Sequence, residues 1–299
     1  MATPMQTTQF KDVFLKKIDR VFFEAYDEEP EQWSQYLNDK TSSQYAETTQ
    51  RYAGTSNWSK KDELTNPEAQ SFKLGDLIVT THQPWSIKIE MSRELYDDFK
   101  FNEVENMTRD AGHGARNTVE TNSAKILDNA FDGTNYPIYD GKALIASDHP
   151  NRGAQGGTQS NLATGALNDT NLKAGIVLFR QQKDEAGKQI MQRPSKLIVN
   201  QALQFTAAEV LQSALKSGTA NNDTNTLPSL KIVDLLFTSS TTAWFLQANR
   251  HQLNHYWRVP VEFRRRSNMT DNMAWVWDGY FRDSMVAEDW RGFVGSTGL

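Results

Sequence analysis

Apolar and polar positions along the chain repeat with two periods, one typical of helices and one typical of strands. Residues 10–26 repeat at three- and four-residue spacings, which predicts an amphipathic helix that the acidic segment 27–30 ends. Residues 45–89 are rich in Thr and Tyr around a polar connector, 54–67, which predicts a long hairpin. Because an isolated hairpin is marginal in water, we expect this one to lie against a neighbouring subunit.

A second helical stripe follows the hairpin. Ser92 is a suitable N-cap, and the pattern runs to residue 131 before Asp132 and Gly133 end it. The predicted inward positions are Leu95, Phe99, Met107, Ala111, Ala115, Val119, Ile126, Leu127 and Ala130. One helix of this length would span about 60 Å. Gly112 and Gly114 weaken it, so one kinked helix and two separate pieces both fit the pattern.

The rest of the chain alternates between helical and strand patterns. A short extended piece (136–145) and a polar loop (151–170) come first. The predicted helices are 169–187, with Asn168 or Asp169 as cap, and 202–216, with Phe205 inward. The predicted strands are 194–200, 232–237, 243–246, 255–263 and 273–282, followed by a short acidic turn and residues 290–295. Helices that alternate with strands predict a small α/β domain with helices against a sheet.

Composition mainly excludes functions. With 299 residues and 38% hydrophobic positions the chain can form a packed core, while a mean hydropathy of −0.65 favours an extended molecule with much polar surface. The absence of cysteine excludes disulfides, thiolate metal sites and cysteine nucleophiles. A net charge of −5 disfavours a sequence-reading DNA-binding protein but suits a container that holds DNA. No signal core or membrane-length apolar run occurs, so we expect cytoplasmic synthesis and no membrane partner.

Two histidines have the spacing of a helical zinc site. His251 and His255 are four residues apart, but the zinc-peptidase pattern needs a glutamate where Gln252 stands. The flanking residues predict loop and strand. We therefore expect surface or interface histidines and no metal site.

Three residues of the catalytic-triad type are adjacent in the chain. Ser147, Asp148 and His149 follow one another, whereas the members of a triad normally meet from separate segments. We favour a turn before Pro150 in which Asp148 binds local backbone amides.

Other polar clusters carry weaker signals. The Gly-rich segment 153–157 lacks the Lys-Ser/Thr of a phosphate-binding loop. The basic cluster 264–266 fits a solvated strand end or an inter-subunit ion-pair site, and DNA contact is a minor third option. The acidic segment 27–31 fits a solvated turn, or it could pair with such a basic cluster on a neighbouring subunit. The sequence thus predicts no catalytic, cofactor-binding or metal-binding residue.

Several segments carry a family resemblance. The segments are 140–150 (DGKALIASDHP), 156–162, 181–187 with 193–199, and 217–225. They resemble the Mu-like major head subunits of tailed bacteriophages, and the order of predicted elements resembles the Hong Kong 97-type capsid fold. The resemblance implies an α+β, HK97-like phage capsid fold with an N-terminal arm, an extended β-hairpin (E-loop), a long spine helix, a P-domain and an A-domain.

The resemblance also implies boundaries for these parts. The N-terminal arm would comprise residues 1–44, the E-loop 45–90, the P-domain with its spine helix 91–167, and the A-domain 168–250. Residues 251–299 would return to the P-domain as strands and a C-terminal tail.

The function implied is structural. The chain would be a major capsid protein of the virion, assembled in the host cytoplasm as pentamers and hexamers of an icosahedral head that holds double-stranded DNA. Portal and possible scaffolding or decoration proteins would be its partners, and because Met1 lies close to the predicted arm we expect no fused scaffold. Two alternatives stay open: an encapsulin-like compartment shell, and a hydrolase that uses Asp148, His149 and nearby serines.

Overall fold

The structure is a computed structural model of the 299-residue chain. It describes residues 7–52, 58, 60–67, 69, 74–98, 101–151, 156–185, 187–213, 224–266 and 273–299. Within these ranges it describes side chains except at residues 7–16, 51, 52, 74–76, 96, 97 and 101. No helix in these ranges is long and apolar enough to cross a membrane.

In the part of the chain that the structure describes, twelve strands form two four-stranded sheets and two small ribbons, and five α-helices accompany them. The helices are α1 (Thr7–Tyr26), α2 (Arg93–Asp97), α3 (Phe101–Asp128), α4 (Asp169–Arg180) and α5 (Gln204–Gln212) among the described residues. The strands are β1 (Asn38–Thr41), β2 (Ala46–Tyr52), β3 (Leu74–Thr81), β4 (Gln83–Ser92), β5 (His149–Pro150), β6 (Thr158–Gln159), β7 (Pro194–Asn200), β8 (Lys231–Leu235), β9 (Trp244–Ala248), β10 (Gln252–Arg265), β11 (Ala274–Asp289) and β12 (Phe293–Ser296).

Sheet one has the order β1-β10-β11-β4, and sheet two has the order β12-β9-β7-β8. The strands β2 and β3 pair antiparallel, which confirms the predicted hairpin as far as residue 81. Residues 83–89, predicted as part of the second arm, belong instead to β4 and pair with β11 in sheet one. The last strand, β12, pairs with β9 in sheet two. One apolar core lies between the two sheets and α3, a second lies under α4 and α5, and a third lies between α1, α3 and sheet one.

Helices α1 and α3 pack at close range. The inward positions predicted for α1 are buried where they are described, as at Ile18 and Phe22. A Cβ at Gly112 of α3 would lie 2.5 Å from the Phe22 carbonyl oxygen and 2.9 Å from Ala25 Cβ. Gly112 therefore allows the helix crossing and does not kink α3.

The break in the predicted long helix lies elsewhere. Ser92 accepts a hydrogen bond from the Leu95 amide at 3.2 Å, as the cap prediction requires. Helix α2 ends at Asp97, and α3 runs without interruption through Gly112 and Gly114 to Asp128. The predicted inward residue Met107 is exposed, and the stripe passes through Val104 and Thr108 instead. Phe99 lies outside the described residues.

Four further predictions need correction. Residues 136–145 are not a strand but form turns around Gly141, whose φ is 77°. Helix α4 ends at Arg180 and not at 187, and Phe205 on the short α5 is exposed. The acidic turn after residue 282 is a continuation of β11, because its carboxylates have partners in the chain, as Glu288 has in Tyr256. The predicted strand 194–200 is confirmed as β7.

Candidate functional site

The segment that joins α3 to α4 directs polar side chains inward. His149 is fully buried, with Nδ1 at 2.6 Å from Asp140 Oδ2 and Nε2 at 3.0 Å from Asn161 Oδ1. Its ring stacks on Trp290 at a centroid distance of 4.3 Å. Asn161 Oδ1 also accepts from the Ala146 amide, so both ring nitrogens of His149 are occupied by oxygen atoms of the same chain.

The trio Ser147, Asp148 and His149 does not form a catalytic arrangement. Asp148 points outward, and its hydrogen bond with Lys142 holds the pKa of that carboxyl below its usual value. A local backbone hydrogen bond, the kind of contact expected of Asp148, also lowers its pKa, but the Lys142 ammonium group is its main partner. His149 starts β5, and with both ring nitrogens occupied it cannot act as a base for Ser147.

Asn161 is the centre of this buried cluster. Its amide nitrogen donates to the carbonyl oxygens of Leu144 at 2.8 Å and Phe293 at 3.2 Å. It thereby joins the segment after α3 to β12 of sheet two. Sequence reasoning missed this role, because a single asparagine after a Gly-rich loop gives no signal of burial.

A second buried hub lies next to it. The guanidinium Nη1 of Arg291 lies 3.2 Å from Glu185, 3.3 Å from Asp289 and 3.0 Å from the Tyr139 hydroxyl. Its Nε donates to the Lys183 carbonyl at 2.8 Å. We call these residues, together with Asp140, His149 and Asn161, the junction cluster. Its polar groups bind one another and join segments that are distant in the sequence. The cluster therefore has a structural role.

The histidine pair does not form a metal site. His251 directly precedes β10 and His255 lies within it, and positions four apart along extended chain are about 13 Å from each other. His251 accepts a hydrogen bond from the Leu253 amide, and burial, together with the charge of Lys196, lowers its pKa to about 4. His255 is buried with Nε2 at 3.0 Å from Asp283. Among the described residues no group of three His, Cys, Asp or Glu side chains could hold a metal.

The acidic segment 27–31 is bound to α3 of the same chain. Arg116 pairs with Glu31 at 2.9 Å and with Asp27 at 3.4 Å, and its guanidinium lies over the Tyr26 ring. Glu28 lies 3.3 Å from His113. The prediction of a solvated turn is confirmed, since residues 27–30 are exposed, and Asp27, Glu28 and Glu31 have basic partners on α3 of the same subunit.

Glu120 fixes the chain just after the acidic segment. Its carboxylate accepts from the amides of Gln32 at 2.8 Å and Trp33 at 3.0 Å. Burial raises the pKa of Glu120, and these hydrogen bonds act in the opposite direction. The N-terminal helix and the turn after it are therefore attached to α3 at several points.

The basic cluster 264–266 lies at the end of β10. Arg264 pairs with Glu262 at 2.9 Å, and Arg266 pairs with Asp278 through bonds of 2.6 and 2.9 Å. These pairs are exposed and within the chain, which agrees with a solvated strand end. The Gly-rich segment 153–157 lies mostly outside the described residues; Gly156 and Gly157 have positive φ values of 58° and 83°.

The hairpin differs from the junction cluster in what it exposes. At its base, His82 is buried with its ring nitrogens 2.9 Å from the Ser284 hydroxyl and 3.1 Å from the Ser42 hydroxyl. Further out, Leu77 and Val79 of β3 are 56% and 58% exposed. These apolar side chains lie beside an open groove of about 780 Å³. Its lining includes Trp85, Ile126, Tyr136, Pro137, Met285 and Ala287.

Comparison with known proteins identifies a family. A family model described as phage capsid protein matches residues 78–296, which include all of α3 and most of both sheets. No curated protein matches the chain in sequence.

Solved structures share the fold at low sequence identity. The holo-SrpI encapsulin complex from Synechococcus elongatus is 8% identical, with a TM-score of 0.55 over 91% of this chain and 88% of that chain. The virus-like particle from Pyrococcus furiosus is 11% identical, with a TM-score of 0.54 over 94% and 98%. The mature capsid of bacteriophage PhiM1 is 11% identical, with a TM-score of 0.52 over 87% and 84%. These likenesses show the fold alone and confirm the predicted α+β, HK97-like class.

Proposed function

Because the chain belongs to the phage capsid protein family, we propose that it is the major capsid protein of a tailed-phage head. It is a shell-forming structural component of the virion and not an enzyme. In the proposed head, pentamers and hexamers close into an icosahedral shell around double-stranded DNA. The observation that carries this proposal is the family match over residues 78–296.

The hairpin supports assembly by direct contact between subunits. Large apolar side chains that stay exposed mark surfaces that other molecules cover. Leu77 and Val79 on β3, and Trp58 and Leu64 near the tip, are all more than half exposed. A shell gains stability from many modest contacts, and a projecting hairpin multiplies the contacts of each subunit.

The overall charge supports a container for DNA. Tight binding of phosphate needs a basic surface, whereas this chain has a net charge of −5, and Arg264 and Arg266 of its arginine cluster are paired with carboxylates. The DNA would therefore be enclosed without sequence-specific contact.

Finer assignments belong to the same proposal. The resemblance of residues 140–150 and 156–162 supports the Mu-like branch. The domains would be the arm (1–44), the E-loop (45–90), the P-domain (91–167 and 251–299) and the A-domain (168–250). A portal, and scaffolding or decoration proteins where present, would be its partners, with assembly in the host cytoplasm.

Negative-stain electron microscopy of the purified protein tests the proposal. We expect closed shells, or separate rings of five and six subunits. A compact monomer at every protein concentration would contradict any shell-forming role.

The contents of the particle separate a phage head from an encapsulin-like compartment, which the SrpI encapsulin likeness keeps as the second candidate. We expect particles from infected or induced cells to protect double-stranded DNA from nuclease. Particles that instead contain one folded protein cargo and no DNA would favour the compartment.

A further inference from the structure

The hairpin is attached to the rest of the subunit by polar contacts and not by an apolar core. Within the part of the chain that the structure describes, no residue of β2 or β3 belongs to any of the three cores. Thr49 of β2 donates to Glu288 of β11 at 3.2 Å, and Arg282 of β11 lies over the ring of Tyr45, just before β2. The orientation of the hairpin therefore depends on hydrogen bonds and charges at its base.

His82 lies where these contacts meet. It is the single residue between β3 and β4, so one arm of the hairpin leaves sheet one at this point. Ser42 lies between β1 and β2, where the other arm leaves. His82 is 3% exposed, with Nε2 at 3.1 Å from Ser42 Oγ and Nδ1 at 2.9 Å from Ser284 Oγ on β11. One imidazole thus joins both ends of the hairpin to sheet one, and we call Ser42, His82 and Ser284 the hinge contact.

The neutral form of the ring fits the hinge contact. Ser42 Oγ accepts from the Gln44 amide at 3.1 Å, which leaves its own proton for one ring nitrogen of His82, while the other ring nitrogen donates to Ser284. A protonated ring donates from both nitrogens, so the Ser42 hydroxyl would lose its acceptor. Protonation would also place a charge in a site that is closed to water, which costs free energy.

The charged groups around the ring do not remove that cost. Burial lowers the pKa of His82 below its usual value of 6.5. Glu47 on β2 and Asp283 on β11 raise the pKa, and Arg282 on β11 and Arg258 on β10 lower it, but the lowered value remains the net result. A ring that reaches solvent has its usual pKa. Acid therefore favours a state in which His82 has left the hinge contact.

We propose that the hinge contact is a proton-sensitive device that sets the angle between the hairpin and sheet one. The neutral His82 ring holds both ends of the hairpin, and protonation releases them. The groove of about 780 Å³ between β3, α3 and β11 gives the released hairpin room to move. Leu77 and Val79, which line this groove, change their exposure when it does. The device belongs to a single subunit, so the inference does not depend on the proposed function.

A distance between two spin labels tests the device in the full-length, unassembled chain. The chain contains no cysteine, so Gln50→Cys on β2 and Thr121→Cys on α3 supply the only two attachment sites. We expect one narrow distance distribution at about pH 8 and a second one that grows as the pH falls below 6.5. Because release takes up one proton, the ratio of released to held subunits should rise by up to about tenfold per pH unit.

Matched variants separate the hinge contact from a general loosening of the fold. His82→Gln keeps hydrogen-bonding groups but cannot be protonated, so it should remove the pH dependence. His113→Gln, at a partly exposed histidine of α3, should keep it. Ser42→Ala with Ser284→Ala should give the second distribution already at about pH 8, whereas Ser86→Ala, at an exposed serine of β4, should not.

Each variant counts only if it melts as the wild type does at about pH 8. Where the double serine variant melts earlier, Ser284→Ala alone replaces it and should move the midpoint of release to higher pH; an unchanged midpoint overturns the inference. A wild-type distance that stays the same between about pH 8 and about pH 5 also overturns it, as does a pH dependence that His82→Gln leaves intact. Absence of shells refutes the proposed function but leaves this measurement valid.

Discussion

The junction cluster and the hairpin are both rich in polar residues, but they differ in which side chains they bury and which they expose. The junction cluster buries His149, Asn161 and Arg291 and gives them partners inside the subunit. The hairpin has a polar sequence yet exposes Leu77 and Val79. The first arrangement is made within one chain, whereas in the proposed function the second is covered by a neighbouring subunit. The comparison separates what stabilises the subunit from what assembles the shell.

Removal of the hairpin tip should break this comparison most strongly. We expect deletion of residues 54–67 to abolish shells while the subunit melts as before, because both sheets keep their cores. Electron microscopy and thermal melting of the same sample measure the two effects. Normal shells from the deletion would refute an interface role for the tip.

In the junction cluster, Arg291→Met should act on stability. It leaves the buried carboxylates of Glu185 and Asp289 without their cation, which costs about 3–5 kcal/mol. Chemical denaturation of the unassembled subunit measures the loss. Arg266→Gln, at an exposed pair, is the control and should not change the denaturation midpoint. Equal effects of the two variants would contradict the importance of burial.

Two glycines of α3 should respond with opposite signs. Gly112→Ala places a methyl group 2.5 Å from the Phe22 carbonyl and should destabilise the subunit by about 1–3 kcal/mol. Gly114→Ala meets no atom within 4 Å and should stabilise α3 by up to about 1 kcal/mol. Denaturation curves of both variants check this, and a gain from Gly112→Ala would show that the α1–α3 contact is loose.

A further prediction concerns the pH dependence of stability. The pKa of His251 falls from 6.5 to about 4 on folding, so between these values the unfolded chain binds a proton that the folded chain does not. Stability should therefore decrease as the pH falls from 6.5 towards 4. His251→Asn, which keeps an acceptor for the Leu253 amide, should flatten this dependence. If the stability of this variant changed with pH as steeply as that of the wild type, the assignment of the effect to His251 would be contradicted. His113→Gln is the control variant.

The sequence predicted the elements whose pattern is local. The strand β7, the hairpin and the inward face of α1 follow from periodicity, and the Ser92 and Asn168 caps follow from side-chain chemistry. The prediction that Phe205 faces inward was wrong, because an apolar residue on a short helix can face either the core or the solvent.

Local signals were insufficient where the partner is distant in the chain. The acidic residues after 282 predicted a turn, yet β11 continues through them. Asp283 binds His255, and Glu288 binds Tyr256, both on β10. The partners of His149 could not be predicted for the same reason, since Asn161 and Trp290 reach it only in the folded chain.

The sequence by itself determined the α+β class, the main elements and the resemblance to phage capsid subunits. The tertiary structure decided which polar residues are buried, which charges are paired, and why Gly112 is a contact and not a hinge. The physical reason is the separation along the chain over which each interaction acts. Periodicity and capping depend on neighbours in the chain, whereas burial and ion pairing depend on segments that only folding brings together.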